Sequence, residues 1–193
     1  MNILEIFTEL DLQPFTDLLP ALESLLNENI VHWQGNQICL TTTTDRPDDY
    51  TLGTGSLVLD WDKKVDKKSV GDTTSLHIPM KQTRLEERDF SILCSQFNGT
   101  VFQEVYSYLL EKYAIGRLRL MQLQPKTCLS WHVDTTPRIH YPIKTQPGCI
   151  MVVDERACHL TQDKWWLVDT TRPHSVLNGS LESRIHLVGA IIG

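Results

Sequence analysis

From Arg117 to the end of the chain, apolar positions come in short strand-length runs rather than helical stripes. The runs "RLRLMQLQ", "LSWHVD", "RIHYPIK", "GCIMVVDE", "ACHLT", "KWWLVD", "HSVL" and "SRIHLVGAII" are separated by Pro, Gly and Asn turns. Strands that follow one another this closely, with no helix between them, predict an antiparallel sandwich or barrel. Upstream the period is helical. Leu18, Leu19, Leu22, Leu25 and Leu26 repeat at helix spacing, Pro14 suits a first turn, and Pro20 kinks or restarts the segment, so residues 1–30 read as helical. The stretch "IVHWQGNQICLTT" (30–42) reads as a hairpin folded at Gly35-Asn36. A second helix is announced by Thr100 and Gln103 in a capping box. It carries the stripe Val101, Val105, Tyr108 and Leu109, and Gly116 is the expected stop. The fold class expected is mainly β, with N-terminal and central helices buttressing the β core from outside. With no long-period repeat, the chain reads as one domain over 1–193, with 1–116 as helical and β support and 117–193 as the β core.

Composition narrows the partners. The net charge of -6 argues against a general nucleic-acid binder. The lysine cluster "DKKVDKKS" (62–69) is interleaved with Asp and reads as a solvated loop. It lies within a polar stretch, 42–75, broken by the strand-like "GSLVLDW"; a polar run of this length inside a compact domain is functional or disordered rather than structural. The five cysteines are scattered and form no C-x-x-C, which fits reduced thiols. The N-terminus lacks the basic region of a signal peptide, and no apolar run is long enough to span a bilayer. The expectation is a soluble, cytoplasmic protein with neither nucleic acid nor membrane as partner.

The tripeptide Arg-Ile-His occurs twice, at 138–140 and 184–186. On a strand, residues i and i+2 share a face, so each copy turns Arg and His to one side and Ile to the other. His132 and Asp134 stand at the same spacing, and together they supply two of the three ligands of a facial-triad iron(II) site. A hydrogen-bonded His–Asp pair is the competing reading, and the spacing alone favours it. A third ligand must come from a distant strand: His140, His159, His174 or His186. His174 is preferred because it follows the turn "VDTTRP" and enters the strand that leads to the second Arg-Ile-His; a turn-capping histidine is the alternative. Arg184 sits among apolar residues in the last strand, and a buried guanidinium needs a counter-charge. A ligand carboxylate would supply it in bidentate form, whereas an ion pair with Glu155 or Asp169 at the barrel end is the bland alternative. Asn178-Gly179 resembles a two-residue hairpin turn, whose register would put His174 and Arg184 on opposite faces. Both are expected to face inward, which predicts a three-residue loop over Asn178, Gly179 and Ser180 with a bulge.

Together, His132-x-Asp134, Arg138-x-His140-x-Pro142, Gly148-Cys149, His174-Ser175-Val176-x-Asn178 and Arg184-Ile185-His186-Leu187 resemble the aspartyl/asparaginyl β-hydroxylase family over roughly residues 117–190. The resemblance implies a double-stranded β-helix (jelly roll) whose β core binds Fe(II) through His132, Asp134 and His174. It implies 2-oxoglutarate as cosubstrate, with its distal carboxylate on Arg184. It also implies that His140 supports the cosubstrate, that Arg138 binds either it or a substrate carboxylate, and that O2 is the oxidant. Some members lack the metal-binding carboxylate, whereas this chain keeps it as Asp134. Trp131, Trp165 and Trp166 are candidates to wall the site. The function expected is hydroxylation of an amino-acid unit, either an Asp/Asn-type side chain in a peptide or a free amino acid such as proline, with succinate and CO2 as coproducts. The alternatives are a non-redox, metal-binding, cupin-like jelly roll and a structural sandwich in which His132 and His174 are core histidines.

Overall fold

The structure, a computed structural model, describes residues 5–55, 59–60 and 83–193. The lysine cluster 62–69 and most of "GSLVLDW" lie outside the described residues. In chain order the elements are β1 (Phe7–Leu10), α1 (Leu18–Asn27), β2 (Gln37–Cys39), β3 (Thr41–Thr42), β4 (Leu59–Asp60), β5 (Thr83–Arg84), β6 (Ile92–Leu93) and α2 (Val101–Lys112). There follow β7 (Ile115–Leu123), β8 (Thr127–Cys128), β9 (Arg138–Lys144), β10 (Cys149–Val153), β11 (Arg156–Cys158), β12 (Trp165–Val168), β13 (His174–Asn178) and β14 (Arg184–Ile191). One sheet has the order β1-β12-β9-β14-β7-β2 and a second the order β11-β10-β13-β8, with every pair antiparallel. Counted from β7, the first, eighth, third and sixth strands share one sheet, and the second, seventh, fourth and fifth share the other. Successive hairpins folded across two sheets in this order are a jelly roll.

Strand alternation sorts side chains between two cores. Ile139, Tyr141, Ile143, Ile185, Leu187, Leu118 and Leu120 face the helices and pack with Leu18, Leu22 and Leu25 of α1 and Phe102, Val105 and Leu109 of α2. The opposite face turns inward. There Leu123 and Val168 of the larger sheet meet Met151, Val153 and Val176 of the smaller one. Both Ile residues of the Arg-Ile-His copies therefore lie under the helices, and both Arg and both His lie inside the roll.

Several local expectations are corrected. Residues 7–10 form an edge strand on β12 rather than helix, because the apolar face of Trp165–Val168 offers an unpaired backbone for them. Helix α1 begins only after Asp17, and Pro20 sits in its first turn, where no N–H is needed. The fold at Gly35-Asn36 is a tight turn carrying a single bridge, Gln34 to Gln37, after which β2 joins β7. In α2 the cap holds, with Thr100 accepting from Phe102 N, but the buried face includes Phe102 and Tyr106, and the helix ends at Lys112. Gly116 does not stop the helix. It lies within β7, where an added Cβ would stand 2.3 Å from the Glu87 carbonyl oxygen. The largest revision concerns residues 179–183. They cross from β13 in one sheet to β14 in the other, so no hairpin register relates His174 to Arg184. Asn178 makes the crossing, its amide donating to the carbonyls of Leu123 (3.0 Å) and Glu182 (2.7 Å). Among the described residues no helix is long and apolar enough to cross a membrane.

The close approach of Gly116 to the Glu87 backbone gives a test of the packing. Gly116→Ala should lower unfolding stability by about 2 kcal/mol, with an unchanged m-value in urea denaturation, because a methyl is forced against a rigid carbonyl.

Candidate active site

The run Trp131–Asp134 is not a regular strand. It is held to its neighbours by single backbone contacts, with His132 and His174 exchanging N–H···O bonds of 3.1 and 2.9 Å and Asp134 N donating to Thr170 O at 2.9 Å. Directly opposed residues of an antiparallel bridge turn their side chains to the same face, so the two imidazoles stand side by side, with ring centroids 4.2 Å apart. The ligand atoms of His132, Asp134 and His174 all lie within 4.8 Å of one another. The grouping expected from sequence thus forms, although by a bridged loop rather than by strand alternation.

The tautomers follow from the hydrogen bonds. His132 Nδ1 lies 2.8 Å from Ser130 O, and His174 Nδ1 lies 2.9 Å from Arg172 O. A carbonyl only accepts, so each Nδ1 carries the proton and each Nε2 keeps its lone pair. Burial holds the His174 pKa below its ordinary value, which keeps that lone pair free. Asp134 is oriented in turn, because Arg138 Nε donates to its Oδ2 at 2.9 Å. Burial would raise the Asp134 pKa, but the Arg138 hydrogen bond and charge outweigh it and hold the carboxyl ionised below its usual range. Two imidazoles with Nδ1 tied to carbonyls, and one oriented carboxylate, are a donor set that fits a divalent first-row metal with open positions.

Behind this group lies a residue that sequence reasoning missed. Glu87, in a 3-10 turn (Glu87–Asp89), is 4% exposed and is shared by two guanidiniums. Arg138 Nη2 donates to its Oε1 at 2.6 Å, and Arg117 grips it with Nε to Oε2 and Nη2 to Oε1, both at 2.9 Å. Burial opposes its charge, yet Arg138 and Arg117 hold its pKa below the usual carboxylate range. Arg138 is thus committed to Asp134 and Glu87 here, with only Nη1 unpartnered. Nothing local in "RLEERDF" signals Glu87, since its partners lie 30 and 51 residues away. The Arg-Leu-Arg of 117–119 did carry a signal, the same alternation of cation and apolar residue that drew attention to Arg-Ile-His.

Deeper in the roll, Arg184 is 5% exposed and has no carboxylate partner among the described residues; Glu155 and Asp169 do not reach it, and Asp169 pairs with Arg172. Its Nη2 donates instead to His186 Nδ1 at 2.7 Å, which places the His186 proton on Nε2, buried and unpartnered. Both ring nitrogens of His140 are likewise buried without partners, and burial next to Arg184 pushes the pKa values of His140 and His186 well down. These groups line or adjoin a cavity of about 630 Å³ that opens beside His132 and Asp134. Of the tryptophans, Trp165 is buried on the helix side against Tyr141 and Phe15, so it does not wall the site. Trp131 is 59% exposed beside His132, and Trp166 packs against the inner core. His159 stands apart, with Nδ1 on Cys149 O.

The strand order and the His-Asp-His group at the cavity mouth define the class as a jelly roll with a candidate metal centre. Residues 74–192 match the family model of aspartyl/asparaginyl β-hydroxylase. This chain belongs to that family, and with it to the hydroxylases. Solved structures with some similarity include a cupin domain from Bordetella pertussis Tohama I (18% identity, TM-score 0.36, 40% of this chain and 81% of that one). A 2OG-Fe(II) oxygenase-family oxidoreductase from Burkholderia pseudomallei matches at 14% identity and TM-score 0.36, over 39% of this chain and 41% of that one. A collagen prolyl hydroxylase from Paramecium bursaria Chlorella virus-1 matches at 10% identity and TM-score 0.36, over 47% and 68%. No curated protein matches the chain.

The carboxylates predict the acid limb of stability. Both Glu87 and Asp134 have folded pKa values below their ordinary 4.5 and 3.8, so their contribution is complete above those values and is lost as pH falls through the lower, folded ones. Glu87→Gln should cost about 3 kcal/mol at pH 7, because two buried guanidiniums lose their shared counter-charge. The penalty should shrink below about pH 4. Thermal melts of both proteins from pH 3 to 7 check it.

Proposed function

We propose that this protein is an iron(II)- and 2-oxoglutarate-dependent dioxygenase that hydroxylates an amino-acid unit in a peptide or a free amino acid. The observation that carries this reading is the pair of histidines, each with Nδ1–H tied to a backbone carbonyl, which together with an oriented carboxylate place one ligand atom each within 4.8 Å of the others, His174 Nε2 standing 3.7 Å from Asp134 Oδ2. His132, Asp134 and His174 would hold the metal. Bound there, iron(II) supplies the oxidation of a substrate C–H to C–OH by O2, with 2-oxoglutarate converted to succinate and CO2. The atoms balance: substrate, O2 and 2-oxoglutarate give hydroxylated substrate, succinate and CO2.

The chain's own residues do the rest. Arg184, without a carboxylate among the described residues, would take the distal carboxylate of the keto acid through the edge its His186 contact leaves free. His186 Nε2–H and the neutral His140 supply hydrogen-bonding atoms with no other use. Arg138 keeps Asp134 charged and fixed and is itself held by Glu87, so in this reading it acts on the metal ligand while its Nη1 remains for an incoming ligand. The inner core of Met151, Val153 and Val176 keeps bulk water from the deep end. The whole chain then works as one oxygenase unit, with 117–193 holding metal and cosubstrate and the residues before it supplying Glu87 and the helical support.

Under anaerobic conditions, iron(II) and 2-oxoglutarate should give a visible charge-transfer band. Arg184→Ala should raise the 2-oxoglutarate needed for half the band by about tenfold or more, the value of a lost charged hydrogen-bond pair. His174→Ala should abolish the band. Iron binding with no band at saturating keto acid would instead favour a non-redox metal-binding jelly roll, and no iron binding at all would sink both.

A further inference from the structure

The two sheets of the roll differ in what lies outside them. Helices α1 and α2 pack on the larger sheet and bury its outward side chains, Ile139, Tyr141, Ile185 and Leu187 among them. The smaller sheet turns Cys149, Met151 and Val153 of β10 and His174, Val176 and Asn178 of β13 inward, all buried. The residues between them point outward. Ile150, Val152 and Ser175 are half-buried and Leu177 is 38% exposed, and none of the four belongs to either core.

The register makes these positions one surface. Leu177 stands between Ile150 and Cys128, and Val152 stands between Ala157 and Ser175. Cys128 and Ala157 are exposed at the two edges of the sheet. Past β8, Ser130 and Trp131 together oppose Ser175, between the bonded pairs Leu129–Val176 and His132–His174. This bulge sets Trp131, 59% exposed, at the border of the same face. No charged residue occupies any of these positions, in a chain of net charge -6.

Size and charge point to one occupant. Four strands about 4.8 Å apart and up to five residues long make a face of roughly 300 Å² in projection, before Trp131 is added. That is comparable to the apolar centre of a contact burying about 800 Å² per partner, whose remainder is polar rim. A partner selected by charge finds nothing here to grip. A second copy of this chain does match, because a two-fold contact uses the same patch twice and the pleats of two apolar sheet faces interdigitate. Two acidic copies also meet at least electrostatic cost where neither presents charge.

We infer that the outer face of the smaller sheet is the interface of a homodimer, packed sheet on sheet, with Trp131 at its border. The contact does not depend on the hydroxylase reading, but it bears on the same site. A partner seated there buttresses the loop that carries His132, as α1 and α2 buttress the other sheet.

The test is sedimentation equilibrium of the whole chain from submicromolar to high micromolar concentration. The wild type should reach twice the chain mass, with a micromolar or tighter dissociation constant. Leu177→Lys and Cys128→Arg should each weaken the dimer about a hundredfold, since a two-fold contact buries every new charge twice. Both positions are exposed, so both variants should keep the far-ultraviolet circular dichroism of the wild type. Leu110→Lys, at an exposed leucine of α2, should dimerise as the wild type does. A further readout needs no variant: alkylation of Cys128 by iodoacetamide, followed by peptide mass, should slow as the wild type is concentrated through its dissociation constant. A wild type that stays monomeric overturns the assignment, and so does a Cys128 alkylation rate independent of concentration. Undiminished dimerisation of Leu177→Lys and Cys128→Arg, or an equal loss in Leu110→Lys, overturns it as well.

Discussion

Glu87 is a single buried carboxylate that holds two strands and a metal-ligand candidate together. It takes the guanidinium of Arg117 from β7 and that of Arg138 from β9, and Arg138 passes the constraint to Asp134. Four charges that alternate in sign, each paired with the next, can be buried where any one of them alone could not. The turn bearing Glu87 is set by backbone contact at Gly116, so the electrostatic chain begins with steric fit. Remove that fit and the orientation of Asp134 has no support.

The remaining polar groups of the cavity follow a second rule, that of unfilled capacity. Natural interiors leave few buried polar atoms without partners. Here four such atoms, Arg119 Nε, Arg138 Nη1 and both nitrogens of His140, belong to residues that line one cavity, and a fifth, His186 Nε2, belongs to the residue that Arg184 of the same cavity bonds. Burial keeps the two histidines neutral, so they offer hydrogen bonds without adding charge to a cavity that already carries surplus guanidiniums. A cavity with more buried cations than anions is arranged for anionic ligands.

Much of the site could be read from the chain because strand alternation is a local property. Arg138-Ile139-His140 and Arg184-Ile185-His186 needed only the two-residue period to put their polar members on one face, and the Ile residues do lie in the helix-side core. His132, Asp134 and His174 could be picked as a set, although their grouping arises from a bridge between loop and strand start. Where the reading failed, the deciding contact was distant. Residues 7–10 look helical alone and become a strand only because β12 lies open beside them. Trp165 was a candidate wall and instead packs under the helices, since its neighbour Trp166 takes the inner face.

By itself, the sequence determined the strand-rich second half, the inward faces of the repeated tripeptides and the identities of the candidate metal ligands, because these depend on spacing along one segment. Tertiary structure alone decided that residues 179–183 cross between sheets and that Glu87 joins Arg117 to Arg138. Those features depend on which atoms from remote segments share a desolvated space, and pairing across such a space leaves no period in the chain.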